Sequence, residues 1–306
     1  MVTGDRYVLP DELGSSATPW TLVVVSGTRG IGTSLTAALL ALGGTELGPT
    51  LMIEGSGRVA LPRWRRGGPP RHGLGALADG TVDPRGCVTP IAPALDLVAA
   101  YGNEDATSAN GISASARRTA CRGARALGVG YRLVVLDAGT DIALAIDACA
   151  DGSGRLVMVS NGDAATIAAT YAVAKVARNV GLLDAPWVIG ARQGGAAGAD
   201  VYGVLQQASS RFGGEPPLLA GGIPDDPCLG VALGAGMCLD DAATGSPALF
   251  AAAHAVRRIV SGAGRQSPPR VVTPTPITDP MSGIDTPFTY AATPGLAMRA
   301  PATLGF

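Results

Sequence analysis

The feature that most constrains this fold is a strand that runs into a glycine loop, which passes directly into a helix. WTLVVVSG, from Trp20 to Gly27, is a short apolar run rich in β-branched residues and stopped by Ser26 and Gly27. Such a run reads as a strand buried on both faces. TSLTAALLALGG follows as a helix, with Gly43-Gly44 as its stop. Between them lies Gly27-Thr28-Arg29-Gly30-Ile31-Gly32-Thr33-Ser34. Backbone N–H groups in a loop of this kind point inward, and the helix N-terminus adds a positive partial charge. The place suits a phosphate.

The same alternation continues along the chain. TLMIEG (50–55), YRLVVLDAG (131–139), RLVMVSNGD (155–163), PWVIGAR (186–192) and PLLAGGIPDD (217–226) read as further strands, with ALDLVAA (94–100) as another. Helices are expected at GLGALADG (a short turn), ISASARRTACRGARALG, AATIAATYAVAKVARNVGLL, GADVYGVLQQASSRFG and SPALFAAAHAVRRIVSG. Alternating strands and helices imply parallel pairing through right-handed crossovers. The expected class is α/β, a single doubly wound, mainly parallel sheet with helices on both faces. Composition agrees: the chain is 47% hydrophobic and 15% charged, with only 4% aromatics, which suits thin Ala- and Val-rich helices on a buried sheet. Residues 1–19 read as a flexible N-terminal arm, 20–262 as the folded domain, and 263–306 as a Pro-rich disordered tail.

The loop has two chemical readings. The generic ATP-binding motif G-x-x-x-x-G-K-[ST] keeps both glycines here, at Gly27 and Gly32, and a magnesium-type hydroxyl at Ser34. Thr33 stands where that motif has lysine. The same stretch also resembles the pyrophosphate turn of short-chain dehydrogenases, and Ser160, Tyr171 and Lys175 imitate their catalytic set for NAD(P)-dependent hydride transfer. Spacing argues against the second reading. Asp137-Ala138-Gly139 stands too close to Ser160, and Ser160 too close to Tyr171, for the helix those enzymes place between. Tyr171 and Lys175 then form an ordinary i,i+4 pair on an Ala-rich helix.

From residue 20 to about 262 the chain resembles the MinD/ParA family of deviant P-loop ATPases, on its MinD/FlhG branch. That family has GKGGVGKT where this chain has GTRGIGTS, and an Asp-x-Asp switch where IEGS places Glu54 and Ser56. Its Walker B strand ends like VVLDAG, with Asp137, at a matching separation from Thr33. VMVSNGD resembles its next strand, with Asn161. PWVIGAR keeps Arg192 of the family's Asn-Arg pair near the adenine, with Ala191 for the asparagine. LAGGIPDD resembles its Gly-x-Ile-Pro-x-Asp segment and contributes Pro224.

The resemblance implies ATP and Mg²⁺ as cofactors. Gly27, Thr28, Arg29, Gly30, Gly32, Thr33, Ser34, Arg192 and Pro224 would surround the nucleotide, and Ser34 and Asp137 would hold magnesium. It also implies protein partners and a homodimer. The departures fall on the chemistry. Phosphoryl transfer needs charge neutralised on the β and γ phosphates. The family uses one P-loop lysine and one signature lysine that crosses to the partner's nucleotide. Thr33 and Thr28 occupy those places, and Arg29, one residue from the second, is a bulkier planar substitute. Ser56 replaces the water-orienting aspartate and cannot act as a base at neutral pH. The expectation is a pseudo-ATPase, a scaffold or regulator of a flagellar, division or partition apparatus. Its alternatives are an active ATPase of this family and, behind that, the oxidoreductase.

Other features exclude classes. A formal charge of −1 gives no global attraction to nucleic acid or anionic lipid. The Arg-rich loop RWRRGGPPRH reads as a solvated loop, and the tail holds too many prolines for an amphipathic membrane helix. Cys87, Cys121, Cys149, Cys228 and Cys238 are scattered with no CxxC pair, which fits buried thiols in a reducing cytoplasm. His72 and His254 lie in no metal-ligand pattern. The N-terminal MVTGDRYVLPDELG has no signal-peptide core, so a cytoplasmic location is expected, with recruitment to a pole or membrane left to partners.

Overall fold

The computed structural model describes residues 18–56, 70–103, 112–182, 184–191, 197–212 and 214–263. All belong to one compact unit, Met1–Ser267; the second unit, Pro268–Phe306, lies outside the described residues, as do most of the expected N-terminal arm and the Arg-rich loop.

Eight strands form one sheet: β1 (Trp20–Val25), β2 (Thr50–Ile53), β3 (Val88–Ala92), β4 (Leu95–Val98), β5 (Leu133–Gly139), β6 (Gly154–Ser160), β7 (Trp187–Ala191) and β8 (Leu218–Ile223). Their order is β3-β4-β2-β5-β1-β6-β7-β8. Every pairing is parallel except β3 with β4. The helices are α1 (Thr33–Gly44), α2 (Leu74–Asp79), α3 (Ala114–Ala126), α4 (Ile142–Cys149), α5 (Ala164–Asn179), α6 (Ala197–Arg211), α7 (Pro227–Gly234), α8 (Leu239–Ala242) and α9 (Pro247–Ala263).

Two hydrophobic layers sandwich the sheet. Leu22, Val24, Met52, Val135 and Val157 point toward α1 and α9, while Val23, Val25, Leu51, Leu136 and Met158 point toward α3 to α6. That alternation is the period-two face rule applied to strands buried on both sides. Helix α1 has no polar face because it lies under α9. A Cβ on Gly43 would fall 2.8 Å from the Ala253 backbone, so the two helices touch through small residues. Leu39 and Leu40 are fully buried there, each worth about 1.5–3 kcal/mol in surface removed from water.

Beyond the sequence expectations the structure has α7 and α8 after β8, and two further elements within the sheet region. Helix α4 fills the segment between Gly139 and Gly154, capped by Asp141, whose carboxylate accepts the Leu144 amide. Strand β3 adds an antiparallel edge beyond β4, and its Pro90 sits at a register shift, where a missing N–H is tolerated. The winding reverses at β1. Toward β5 and β2 the connection is covered by α1 on one face; toward β6 and β7 it is covered by α5 on the other. A doubly wound sheet binds ligands at this reversal, beyond the carboxyl ends of the strands.

Candidate functional site

The glycine loop sits at that reversal. The Ser26 amide donates to the Gly139 carbonyl at 2.8 Å, which ties the end of β1 to the end of β5. Gly30 and Gly32 hold φ of +80° and +88°, left-handed values that disfavour any side chain. Gly32 caps α1. No side chain caps the first turn of that helix, and no acidic residue lies in it. The leading amides of α1 thus carry no side-chain cap, an arrangement that suits an anion.

The side chains within the loop are turned to one another. Thr33 is buried, and its Oγ1 donates to Ser26 Oγ at 2.7 Å. Ser26 Oγ in turn donates to the Thr28 carbonyl at 2.7 Å. Thr28 reaches across to α5, sharing a hydrogen bond with the Thr166 hydroxyl at 3.3 Å. A Cβ on Gly27 would stand 2.6 Å from Ala169 Cβ, so α5 packs directly on the loop and only glycine fits there. Both positions where the resemblance expects lysines are thus occupied by hydroxyls bonded within the protein. Arg29 is exposed. Sequence reasoning did not single out Ser26, Thr166 or Ala169; partners brought together by tertiary packing leave no local pattern.

On the other side of the loop is Asp137, fully buried at the end of β5. Its Oδ1 accepts the Gly139 amide at 2.9 Å. Its Oδ2 has no hydrogen-bond partner, and neither does the buried Ser56 Oγ. Burial pushes the Asp137 carboxyl above its ordinary value, against the opposing influence of the Ser34 hydroxyl, the Gly139 amide and the Ser56 hydroxyl. Both hydroxyls therefore face the carboxylate without closing a hydrogen bond on it. A buried carboxylate oxygen with no partner costs free energy unless something fills the place. A hard cation held by oxygen donors suits Asp137 Oδ2 and Ser34, so the donor set fits Mg²⁺.

Ser56 lies against Gly139, where a Cβ would meet Ser56 Cβ at 2.7 Å. Glu54 is buried, and its carboxylate accepts the Ala100 amide at 3.0 Å, bracing the ends of β2 and β4. Pro224 follows β8, three strand positions from β1 and about 14 Å along the same sheet edge. Arg192, directly after β7, lies outside the described residues. Asn161 is held by Asp163, its Nδ2 donating to that carboxylate at 2.9 Å.

The dehydrogenase constellation is not assembled. Tyr171 lies two residues beyond Ala169, about 200° round α5. Its ring packs on Phe212 of the α6 end at 5.9 Å between centroids, away from the loop. Lys175 is exposed on the same side, and Ser160 is buried at the end of β6, its Oγ directed to the Asn161 carbonyl.

The cysteines divide. Cys87, Cys121 and Cys149 are buried, but Cys228, in the first turn of the short helix α7, is exposed, and Cys238, at the N-cap of α8, is half-buried. Among the described residues no helix is long and apolar enough to cross a membrane.

No family model matches the sequence. No curated protein matches it either. Solved structures do match its fold. The MinC:MinD cell division protein complex of Aquifex aeolicus aligns at 18% identity with a TM-score of 0.57, over 82% of this chain and 98% of that one. A ParA family ATPase from Chlorobium tepidum TLS aligns at 15% identity and a TM-score of 0.61, over 79% and 99%. The Cyanothece McdA(D38A)–ATP complex aligns at 16% and 0.57, over 82% and 99%. The chain has the fold of the MinD/ParA-type P-loop ATPases.

Proposed function

We propose that this chain, built on the MinD/ParA-type fold, is a scaffold or regulator that has given up ATP hydrolysis. It would position or control a flagellar, division or partition apparatus through protein partners, as a homodimer. The observation that carries the reading is the inward turn of Thr33. Its hydroxyl is buried and bonded to Ser26 at 2.7 Å, at the place where a phosphate-binding lysine would otherwise reach out. Thr28, at the other lysine place, is bonded to Thr166. Ser56 presents a hydroxyl where the water-orienting carboxylate would stand. Three losses at one site remove both the charge and the base on which phosphoryl transfer depends.

Binding is a separate matter from turnover. The uncapped N-terminus of α1, the left-handed glycines and the partnerless Asp137 Oδ2 favour retention of a Mg²⁺-nucleotide site of reduced affinity. When bound, Mg²⁺ would be held by Ser34 and Asp137 and would neutralise phosphate charge. The loop amides would orient the phosphates, and Pro224 would lie beside the base. Ser56, at the place of the water-orienting carboxylate, would supply no proton acceptor for an attacking water.

The test is a comparison of ATP and NADPH on the full-length protein. Phosphate release from Mg–ATP should not exceed a heat-inactivated control, weak Mg–ATP binding should be measurable, and NADPH should not bind. Brisk hydrolysis would make the chain a working ATPase, and NADPH binding would restore the dehydrogenase reading.

A further inference from the structure

Helices α5 and α6 leave a concavity on the face of the sheet opposite α1, of about 600 Å³ and lined by Tyr171, Lys175, Arg178, Asn179, Phe212 and Gly214. Lys175 is the only lysine in the chain. Arg178 lies over the Tyr171 ring at 5.9 Å and Arg211 beside the Phe212 ring at 6.0 Å. Phe212 is 69% exposed although it touches Tyr171, so one ring is held in place and most of its surface faces solvent. Val204, 46% exposed, continues this apolar line along α6 at helical spacing, with Ala208 between. Arg178 Nη1 donates to the Glu215 carbonyl at 3.0 Å and fills the space over Gly214, which fixes the guanidinium at the rim.

An exposed aromatic in a groove lined by Lys175 and Arg178, with Arg211 against its ring, is the pattern of an interaction anchor with a charged rim. We propose that the α5–α6 groove docks an acidic segment of a partner protein that carries one aromatic or large apolar anchor. The anchor would pack on Phe212 and Tyr171. Flanking carboxylates would meet Lys175, Arg178 and Arg211. Charge complementarity selects this occupant: the chain as a whole is at −1, yet Lys175 and Arg178 line the groove and Arg211 stands against the Phe212 ring. A nucleic-acid strand would need cations continuing along its course, whereas Lys175 and Arg178 line a single hollow. The site is separate from the glycine loop, which contacts the opposite side of α5 through Thr166 and Ala169.

Fluorescence anisotropy on the full chain tests this with a labelled peptide of sequence Glu-Glu-Asp-Trp-Glu-Glu. Its serine-for-tryptophan and lysine-for-glutamate versions, and a single-stranded oligonucleotide, serve as comparators. The acidic tryptophan peptide should bind saturably and weaken with added salt. Phe212→Ser should weaken it about tenfold and Lys175→Glu about fivefold. Both residues are solvent-facing, and unchanged melting curves would show that the variants fold. Absence of saturable binding to that peptide, or binding indifferent to both substitutions, would overturn the proposal. Preference for the oligonucleotide would overturn it in favour of nucleic acid. Sedimentation showing a dimer lost in Phe212→Ser would assign the groove to a second copy of this chain and overturn it as well.

Discussion

Replacing Thr33 with lysine should have two effects of opposite sign, and both follow from one contact. In the folded chain Thr33 Oγ1 donates to Ser26 Oγ at 2.7 Å in a buried setting. The substitution deletes that bond at a net cost of about 1 kcal/mol. Ser26 keeps its own donation to the Thr28 carbonyl, so no donor is stranded. For a domain of this size the melting temperature of the ligand-free protein should fall by roughly 2–4 °C. The gain appears only with nucleotide. The new ammonium would meet phosphate in a cradle already supplied by the α1 amides, and a charged hydrogen bond of that kind is worth about 1.5–3 kcal/mol, or one to two orders of magnitude in affinity. Calorimetric melting without ligand, together with titration by Mg–ATP, reads both numbers. Thr33→Val is the control: it should lose the same stability and gain no affinity. Turnover should remain at background in Thr33→Lys, because Thr28 is still tied to Thr166 and Ser56 is still a hydroxyl. A folded Thr33→Lys protein that ignores Mg–ATP would refute the reasoning, since it would mean that the backbone cradle is not a phosphate site.

Magnesium alone should raise the melting temperature near neutral pH, by about 2–4 °C if binding contributes ~1 kcal/mol, because Asp137 Oδ2 is buried without a partner. Asp137→Asn should abolish that response in a thermal-shift assay, and a response that survives would place the ion elsewhere. Iodoacetamide labelling followed by peptide mapping should modify exposed Cys228 first, and should leave Cys121 and Cys149 intact until the fold opens. Burial pushes both of those thiols from 9.0 up to about 12. Because the folded values are the raised ones, the stability they contribute is complete below pH 9.0 and is lost between 9.0 and about 12, at ~1.4 kcal/mol per pH unit for each thiol. Alkaline melting of Cys121→Ala should show a shallower decline in that window.

What could be read from the sequence divides along a physical line. Strands such as β1 and β5 were legible because they are buried on both faces and therefore nearly continuous in Val and Leu. Helix α4 was not, because eight residues without a polar stripe look like any short apolar run; only the Asp141 cap marks its start. Strand β3 was hidden by Pro90, which argues against a strand everywhere except at an edge. The glycine loop was legible as a loop, since its conformation is a property of the backbone and of Gly30 and Gly32. The bonds made by Thr33, Thr28 and Glu54 were not, because their partners at Ser26, Thr166 and Ala100 are set by the packing of α5 and the order of the strands.

The same division shows how the proposed loss of hydrolysis could leave the fold untouched. A phosphate cradle made of backbone amides survives any substitution that leaves the glycines and the entry of α1 in place, and it depends on the sheet for its position. Charge neutralisation and proton transfer depend instead on three side chains that the sheet does not need. At Thr28 and Thr33 the replacements are hydroxyls, which can both donate and accept. They close the loop on itself and on α5 without a ligand, whereas two lysines there would leave positive charges side by side over the helix N-terminus whenever phosphate is absent. The inward-turned threonines therefore stabilise the loop by bonds within the protein, and under the proposed reading they do so at the expense of the transition state. That exchange would suit the proposed scaffold, and it is why Thr33→Lys should move stability and affinity in opposite directions.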